Sequence, residues 1–256
     1  MEPINGVIFD IDGVLKFQGR VYPGAIELVD TLRAKGVVLR FLTNSTLNSR
    51  ESCTQNLQKY GFRVELDEVI TASYATAVYL KGLNPRSCWV LVDREGQDEF
   101  KDFPQDEQNP EYVVIGDGRS RFDFDHLNHA LRLLANGARL IGMQAEILDH
   151  SMGELELNVG AWVGMLEQAS GAPAIYIGKP NPFAYELALR SMGLSGQGVL
   201  VVGDRVSTDI LGARQAGLLS ALIRTGEFDP RDLEDAVQPD YVFDFIGELM
   251  TLWQGQ

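Results

Sequence analysis

Gly6-Val7-Ile8-Phe9-Asp10-Ile11-Asp12-Gly13-Val14 is the stretch whose reading decides the fold. A short, apolar, β-favouring run ends abruptly in two carboxylates one residue apart, followed by glycine. A run this short reads as a strand buried on both faces, the signature of a parallel sheet covered by helices. If the segment stays extended past Phe9, Asp10 and Asp12 at i and i+2 leave the backbone on the same side.

Outward from this strand the same grammar repeats. Ala25 to Lys35 has helical spacing, with Ile26, Leu28, Val29 and Leu32 among charges and Gly36 as its stop. Further strands are predicted at Val37 to Leu42, Val69-Ile70, Trp89 to Val92, Tyr112 to Ile115, Leu140 to Gly142, Ala174 to Ile177, Val199 to Val202, Ala221 to Ile223 and Tyr241 to Phe243. Helices are predicted at Asn48 to Tyr60, Ser73 to Lys81, Phe124 to Ala135, Val159 to Ala169, Pro182 to Met192, Thr208 to Ala216 and Phe245 to Trp253. The acidic stretch Glu95 to Pro110 reads as a surface loop or irregular helix. Strand–helix alternation of this kind gives the fold class α/β, with parallel sheets covered by helices.

The chain has 256 residues, 45% of them hydrophobic, and a formal charge of −14. That length fits one large domain or two modest ones at about 150 residues each. The negative charge argues against nucleic-acid and anionic-membrane partners, whose phosphates it repels. It leaves room for a small phosphate held by a local site. Met1-Glu2-Pro3-Ile4-Asn5 lacks the basic and long apolar regions of a secretory leader, and no apolar run approaches the roughly 18 residues of a membrane span. Cys53 and Cys88 form no metal spacing or disulfide framework. These features predict a cytoplasmic protein.

Four strands end in polar tails: Asp10-Ile11-Asp12-Gly13, Thr43-Asn44-Ser45, Gly178-Lys179-Pro180, and Gly203-Asp204 with Asp209 five residues on. Ligands of an open parallel sheet bind outside the carboxyl ends of its strands. Four neighbouring strands would bring these tails to one site. Two adjacent carboxylates repel and are costly to bury. A hard divalent cation relieves both problems, and oxygen-only ligation by Asp10, Asp12 and Asp204 suits Mg²⁺. Mg²⁺ keeps waters and prefers substrate phosphate, so the cation points to phosphoryl chemistry. Lys179 is a point charge suited to phosphate oxygens. Thr43, just ahead of a helix, can donate its hydroxyl and backbone N–H groups to the same anion. A carboxylate can attack phosphorus, and a second can serve as general acid and base.

Asp10-Ile11-Asp12-Gly13-Val14, Thr43-Asn44, Lys179-Pro180 and Gly203-Asp204 with Asp209, in that order, resemble the four motifs of the haloacid dehalogenase (HAD) superfamily. The resemblance implies a Rossmann-like, doubly wound parallel-sheet core over residues 1–80 and 173–256, with an inserted α/β cap over 81–172. The insertion, with Leu127 to Gly142 inside it, resembles the cap of the NagD-like and nitrophenylphosphatase-like subfamily. The layout is most similar to the branch of phospholysine phosphohistidine inorganic pyrophosphate phosphatase. The implied activity is Mg²⁺-dependent hydrolysis of a small phosphorylated metabolite through an aspartyl-phosphate. Asp10 would be nucleophile and metal ligand, and Asp12 acid and base with its carbonyl on the metal. Thr43, Asn44 and Lys179 would hold the phosphoryl group. Asp204 would ligate the metal, and Asp209 would reach it only through water or another ligand. A homodimer through the cap is a further implication. Where many capped relatives carry Thr-Asn-x-Asp, this chain has Met143-Gln144-Ala145-Glu146, so relatives' substrates cannot be carried over. The cap is expected to touch substrate along Ala145 to Leu157.

Plainer readings stand beside these. A calcium loop at Asp10 would want an oxygen ligand where Val14 sits. Lys179 and Asp204 could form a structural ion pair, and Asp209 could simply be an acid at a helix N-terminus. His126 and His129 at i, i+3 have no third ligand nearby and read as a solvated helix face. Gly160 to Gly164 has the letters of a membrane dimer motif in too short an apolar run. Gly116-Asp117-Gly118 and Gly178-Lys179 match neither a dinucleotide fingerprint nor a P-loop. On the same core, a pyrophosphatase, an N–P bond phosphatase and a phosphomutase stay open. A dehalogenase would need no metal. A non-enzymatic phospho-acceptor or metal-binding switch, or a degenerate binding protein, is the rival of another class.

Overall fold

The computed structural model describes residues 3–149, 154–234 and 236–253. Met1 and Glu2 of the N-terminal reading, and 150–153 within the expected substrate-facing segment, lie outside the described residues. The chain forms two compact units, one of residues 1–43, 54–70 and 179–256, the other of 44–53 and 71–178.

The first unit is built on a six-stranded sheet in the order Tyr241–Phe243, Leu219–Ile223, Val199–Gly203, Gly6–Phe9, Val38–Thr43, Val69–Thr71. The pairings of Gly6–Phe9 with both neighbours are parallel, with Phe9 level with Val202 on one side and Phe41 on the other. Winding starts at Gly6–Phe9, runs outward through Val38–Thr43, then restarts on the opposite side at Val199–Gly203. That reversal makes the sheet doubly wound and puts a switch point between the strands leading to Asp10 and Asp204. Every residue of the Gly6–Phe9 and Val199–Gly203 strands is buried, which is why they read as unbroken apolar runs rather than alternating ones. Helix Pro182–Met192 packs on Val38–Thr43, and helix Ala25–Ala34 packs on the 3₁₀ segment Ile246–Trp253.

The second unit has its own four-stranded parallel sheet, ordered Ala174–Tyr176, Arg139–Gly142, Tyr112–Ile115, Cys88–Leu91. Helices Phe124–Ala135 and Val159–Ser170 pack on each other and bury Leu133, Val163 and Leu166 against Leu91, Val113 and Leu140. Asp123 caps the first helix by accepting from the His126 N–H at 2.8 Å, and Asn158 caps the second.

Ala174–Tyr176 departs from the expected set of four neighbouring strands. It pairs with Arg139–Gly142 in the second sheet, and Ile177 and Gly178 prolong that pairing through N–H bonds to Gly142 and Met143. The chain joins the first unit only at Lys179. Two hairpins have no clear sequence signal. Lys16–Phe17 pairs with Arg20–Val21 through Gln18 and Gly19, both at positive φ, and Leu148–Asp149 pairs with Glu156–Leu157. The segment expected as a helix over Thr208 to Ala216 is a π-helical turn, Val206–Ile210, followed by helix Leu211–Gln215. Among the described residues, no helix is long and apolar enough to cross a membrane.

Two glycines of helix Val159–Ser170 separate packing from propensity. A Cβ at Gly160 would lie 2.2 Å from the Ala145 carbonyl oxygen, whereas one at Gly164 meets nothing within 4 Å. Gly164→Ala is therefore expected to stabilise by up to about 1 kcal/mol, the usual gain in a helix interior. Gly160→Ala is expected to destabilise despite the same propensity gain. Urea midpoints of the two variants check this, and equal shifts of the same sign would refute it.

Candidate active site

The site in the first unit starts where two buried strands stop. Asp10 follows Phe9 directly, its N–H bonded to the Val202 carbonyl at 2.8 Å, so it still keeps strand register. Asp204 follows Gly203 on the adjacent strand. Asp209 sits in the π-helical turn that begins at Val206. These three carboxylates are 8%, 1% and 1% exposed, and one oxygen of each lies within 4.8 Å of the others. They are the one cluster of three or more potential metal ligands among the described residues.

Lys179 is 4% exposed and donates to Asp10 Oδ1 at 2.6 Å and Asp209 Oδ1 at 2.7 Å. Burial alone would strip its proton, but the two facing carboxylates outweigh this and hold the ammonium well above its ordinary pKa. Asp10 is pushed the other way: burial raises its carboxyl from 3.8 to about 7 against the pull of Lys179, with Asp209 adding to the rise. Asp204 is raised well above the ordinary range by burial and by the charges of Asp10 and Asp209.

Asp204 is held in a cradle. Its Oδ2 accepts the Glu227 N–H at 2.7 Å. A Cβ at Gly13 would lie 2.0 Å from that oxygen and one at Gly226 2.2 Å, and both glycines have positive φ. Thr225 Oγ1 ties the two loops by donating to the Gly13 carbonyl at 2.5 Å. Asp209 accepts weakly from the Arg205 N–H and the Thr208 hydroxyl, both at 3.3 Å. The buried Tyr185 hydroxyl donates to the carbonyls of Thr208 and Asp209 at 3.2 and 3.4 Å, fixing the turn beneath. Gly13 stands in the quoted motif. Gly226 and Tyr185 carry no sequence signal, because their roles come from loops and a helix far away in the chain.

Asp12 is placed differently from the same-side expectation. The chain bends at Ile11 and coils into a turn, with Leu15 and Lys16 N–H groups on the Ile11 carbonyl and the Gly13 N–H on the Lys16 carbonyl. Ile11 is buried, and the Asp12 side chain is about half exposed and ion-paired with Lys16. The extended-segment argument thus fails one residue beyond Asp10, and Asp209 completes the carboxylate cluster. Thr43 is buried at the end of the strand next to Asp10. Asn44, in the second unit, donates from Nδ2 to Glu146 Oε2 at 3.0 Å. His126 and His129 bind no common centre: His126 contacts Asp123, and the His129 ring meets Trp89 edge-on.

The donor set fits a divalent metal. Three ionised carboxylates would face one ammonium, leaving two negative charges buried without compensation. A doubly charged, oxygen-seeking cation would balance them. Protons and metal compete for Asp10 and Asp204, so loading releases protons. Apparent divalent-metal affinity, probed with Mg²⁺, should therefore rise as pH climbs from 5.5 through about 7, where Asp10 loses its proton, and the raised Asp204 carboxyl adds to that rise. Mg²⁺ titrations followed by melting temperature at several pH values check this, and affinity flat across that range would refute it.

The profile of the haloacid dehalogenase-like hydrolases matches residues 7–103, and a second HAD-hydrolase-like profile matches residues 176–249. The mouse haloacid dehalogenase-like hydrolase domain-containing protein 2 is 32% identical over 93% of this chain and 91% of its own length. Rat phospholysine phosphohistidine inorganic pyrophosphate phosphatase is 32% identical over 97% of this chain and 94% of its own. Among solved structures, 4-nitrophenylphosphatase from Thermotoga maritima has a TM-score of 0.91 and 29% identity, covering 97% of both chains. Similarity of that extent spans both strand ends that carry the buried carboxylates, and the chain belongs to the haloacid dehalogenase-like hydrolase family as an enzyme of its phosphatase branch.

Proposed function

We propose that this chain is a Mg²⁺-dependent phosphatase that hydrolyses a small phosphomonoester through an aspartyl-phosphate on Asp10. The observation that carries the reading is the Lys179 ammonium bridging Asp10 and Asp209 within a cluster of three buried carboxylates. Asp10, Asp204 and the Asp12 carbonyl would hold the metal, with Asp209 beside them. Bound there, the cation would neutralise phosphate oxygens and keep Asp10 ionised.

The remaining work falls to side chains. Asp10 attacks phosphorus, and the bond to the leaving oxygen breaks as that oxygen takes a proton from Asp12. Asp12 then removes a proton from water, which displaces Asp10 and releases phosphate. Asp12 must leave its pair with Lys16 to do this. Thr43, Asn44 and Lys179 hold the phosphoryl group, so catalysis is mainly positioning and charge neutralisation.

The second unit is the segment to which we assign the cap expected over 81–172. Exposed Phe124, Ile147, Leu155 and Leu157 in that unit support a homodimer through it, so light scattering at micromolar concentration should return twice the chain mass. Cys53 and Cys88 are buried thiols, in keeping with a reducing compartment such as the cytoplasm.

Phosphate release from p-nitrophenyl phosphate is the direct test. Turnover should need Mg²⁺, vanish with chelator, and fall at least 10³-fold in Asp10→Asn. Pyrophosphate and phosphohistidine belong in the same panel, because one relative is named for them. Metal-independent turnover, or an active Asp10→Asn, would overturn the mechanism.

A further inference from the structure

Beyond the strand ends, one polar chain in the second unit leads to a residue of the proposed site. Asn158 Oδ1 caps helix Val159–Ser170 by accepting from the Val159 N–H at 2.8 Å. The same oxygen accepts from Gln144 Nε2 at 2.5 Å. Gln144 is 3% exposed, and its Oε1 accepts the Glu146 N–H at 2.6 Å. Glu146 Oε2 in turn accepts from Asn44 Nδ2 at 3.0 Å. Each amide on this path has a fixed sense: a capping oxygen must accept, so Gln144 must present its NH₂ to Asn158 and its carbonyl to Glu146.

An ionised carboxylate only accepts, so Glu146 dictates which end of the Asn44 amide faces it. The other end, Oδ1, lies 2.6 Å from where a Cβ of Gly178 would stand, so only glycine admits it there. A Cβ at Gly160 would likewise strike the Ala145 and Glu146 carbonyl oxygens at 2.2 and 2.7 Å. The helix that Asn158 caps is thus pressed against the loop that carries Glu146.

We propose that Glu146 is a positioning residue that fixes the orientation of the Asn44 side chain for phosphoryl binding, with Gln144 and Asn158 locking Glu146 in place. This rests on the reading of Asn44 as a phosphoryl-holding residue. Met143-Gln144-Ala145-Glu146 thereby acts through Asn44 as well as along any substrate it meets. A group misplaced by an ångström costs up to 10²-fold, so losing the orienting partner should cost about tenfold.

The experiment is a double-mutant cycle over Asn44→Ala and Glu146→Ala, read as kcat/KM with p-nitrophenyl phosphate and as inhibition by inorganic phosphate. Glu146→Ala should lower kcat/KM about tenfold and weaken phosphate inhibition. The double variant should be no worse than Asn44→Ala alone. Glu146→Gln retains an acceptor and should stay within about threefold of the parent. Independent multiplying losses, or Glu146→Gln as damaging as Glu146→Ala, would overturn the assignment. Harmless Asn44→Ala would overturn the phosphoryl-holding reading of Asn44 itself. The side-chain amide resonance of Asn44 gives a readout independent of turnover. It should move in Glu146→Gln and Glu146→Ala, and an unmoved resonance in folded variants would refute the contact.

Discussion

One ammonium among buried carboxylates organises the first unit. Lys179, 4% exposed, donates to Asp10 and Asp209, and neither acid has solvent to fall back on. Removing one partner of a buried pair typically costs about 3–5 kcal/mol, because the other charge is left without compensation. The surrounding architecture makes the arrangement tolerable. Asp10 is held by its backbone bond to Val202, Asp209 by a turn propped on Tyr185, and Asp204 by a cradle of two glycines and the Glu227 N–H. The site still keeps more acid than base, which favours both protonation of Asp10 and capture of a cation. This local imbalance has the same sign as the chain's charge of −14. Under the proposed function, an anionic substrate would be received by Lys179, backbone N–H groups and a metal together.

Most of the fold is legible in the sequence because parallel sheets hide their strands. Gly6–Phe9 and Val199–Gly203 are buried throughout, so their sequences are apolar throughout. Tyr112–Ile115 in the second sheet follows the same rule. The helices announce themselves by spacing and by stops such as Gly171 and Gly193, both left-handed C-caps. What stays hidden is local or long-range. The Lys16–Val21 hairpin turns on Gln18-Gly19 rather than the usual Asn-Gly, and its strands are two residues each. The membership of Ala174–Tyr176 in the second sheet depends on partners more than thirty residues away, which no local pattern reports.

The site is legible to a different degree. Asp10, Lys179 and Asp204 are marked by their place after apolar strands, and the structure gathers all three with Asp209. The position of Asp12 is misread when alternation is extended beyond the last paired residue. Strand geometry holds through Asp10, whose N–H is still paired, and ends at Ile11, whose burial turns the chain inward. Side-chain parity is a property of hydrogen-bonded backbone, so a motif that straddles a strand end should be read with the alternation stopped there.

The same reasoning explains how Lys179 reaches its partners although its strand does not. A strand tail delivers a side chain to a sheet's own edge only while the chain stays with that sheet. Ile177 and Gly178 remain paired to Gly142 and Met143, and the next residue is already the buried partner of Asp10. No spare residue separates the last hydrogen bond of that strand from the lysine of the ion pair. Gly178 is also the residue whose missing Cβ admits the Asn44 amide. Two of the four chain crossings, at 43/44 and 178/179, therefore carry the residues proposed to hold phosphate. Each residue beside the second of these crossings is held by its own unit, Gly178 through its N–H bond to Met143 and Lys179 through its ion pairs with Asp10 and Asp209.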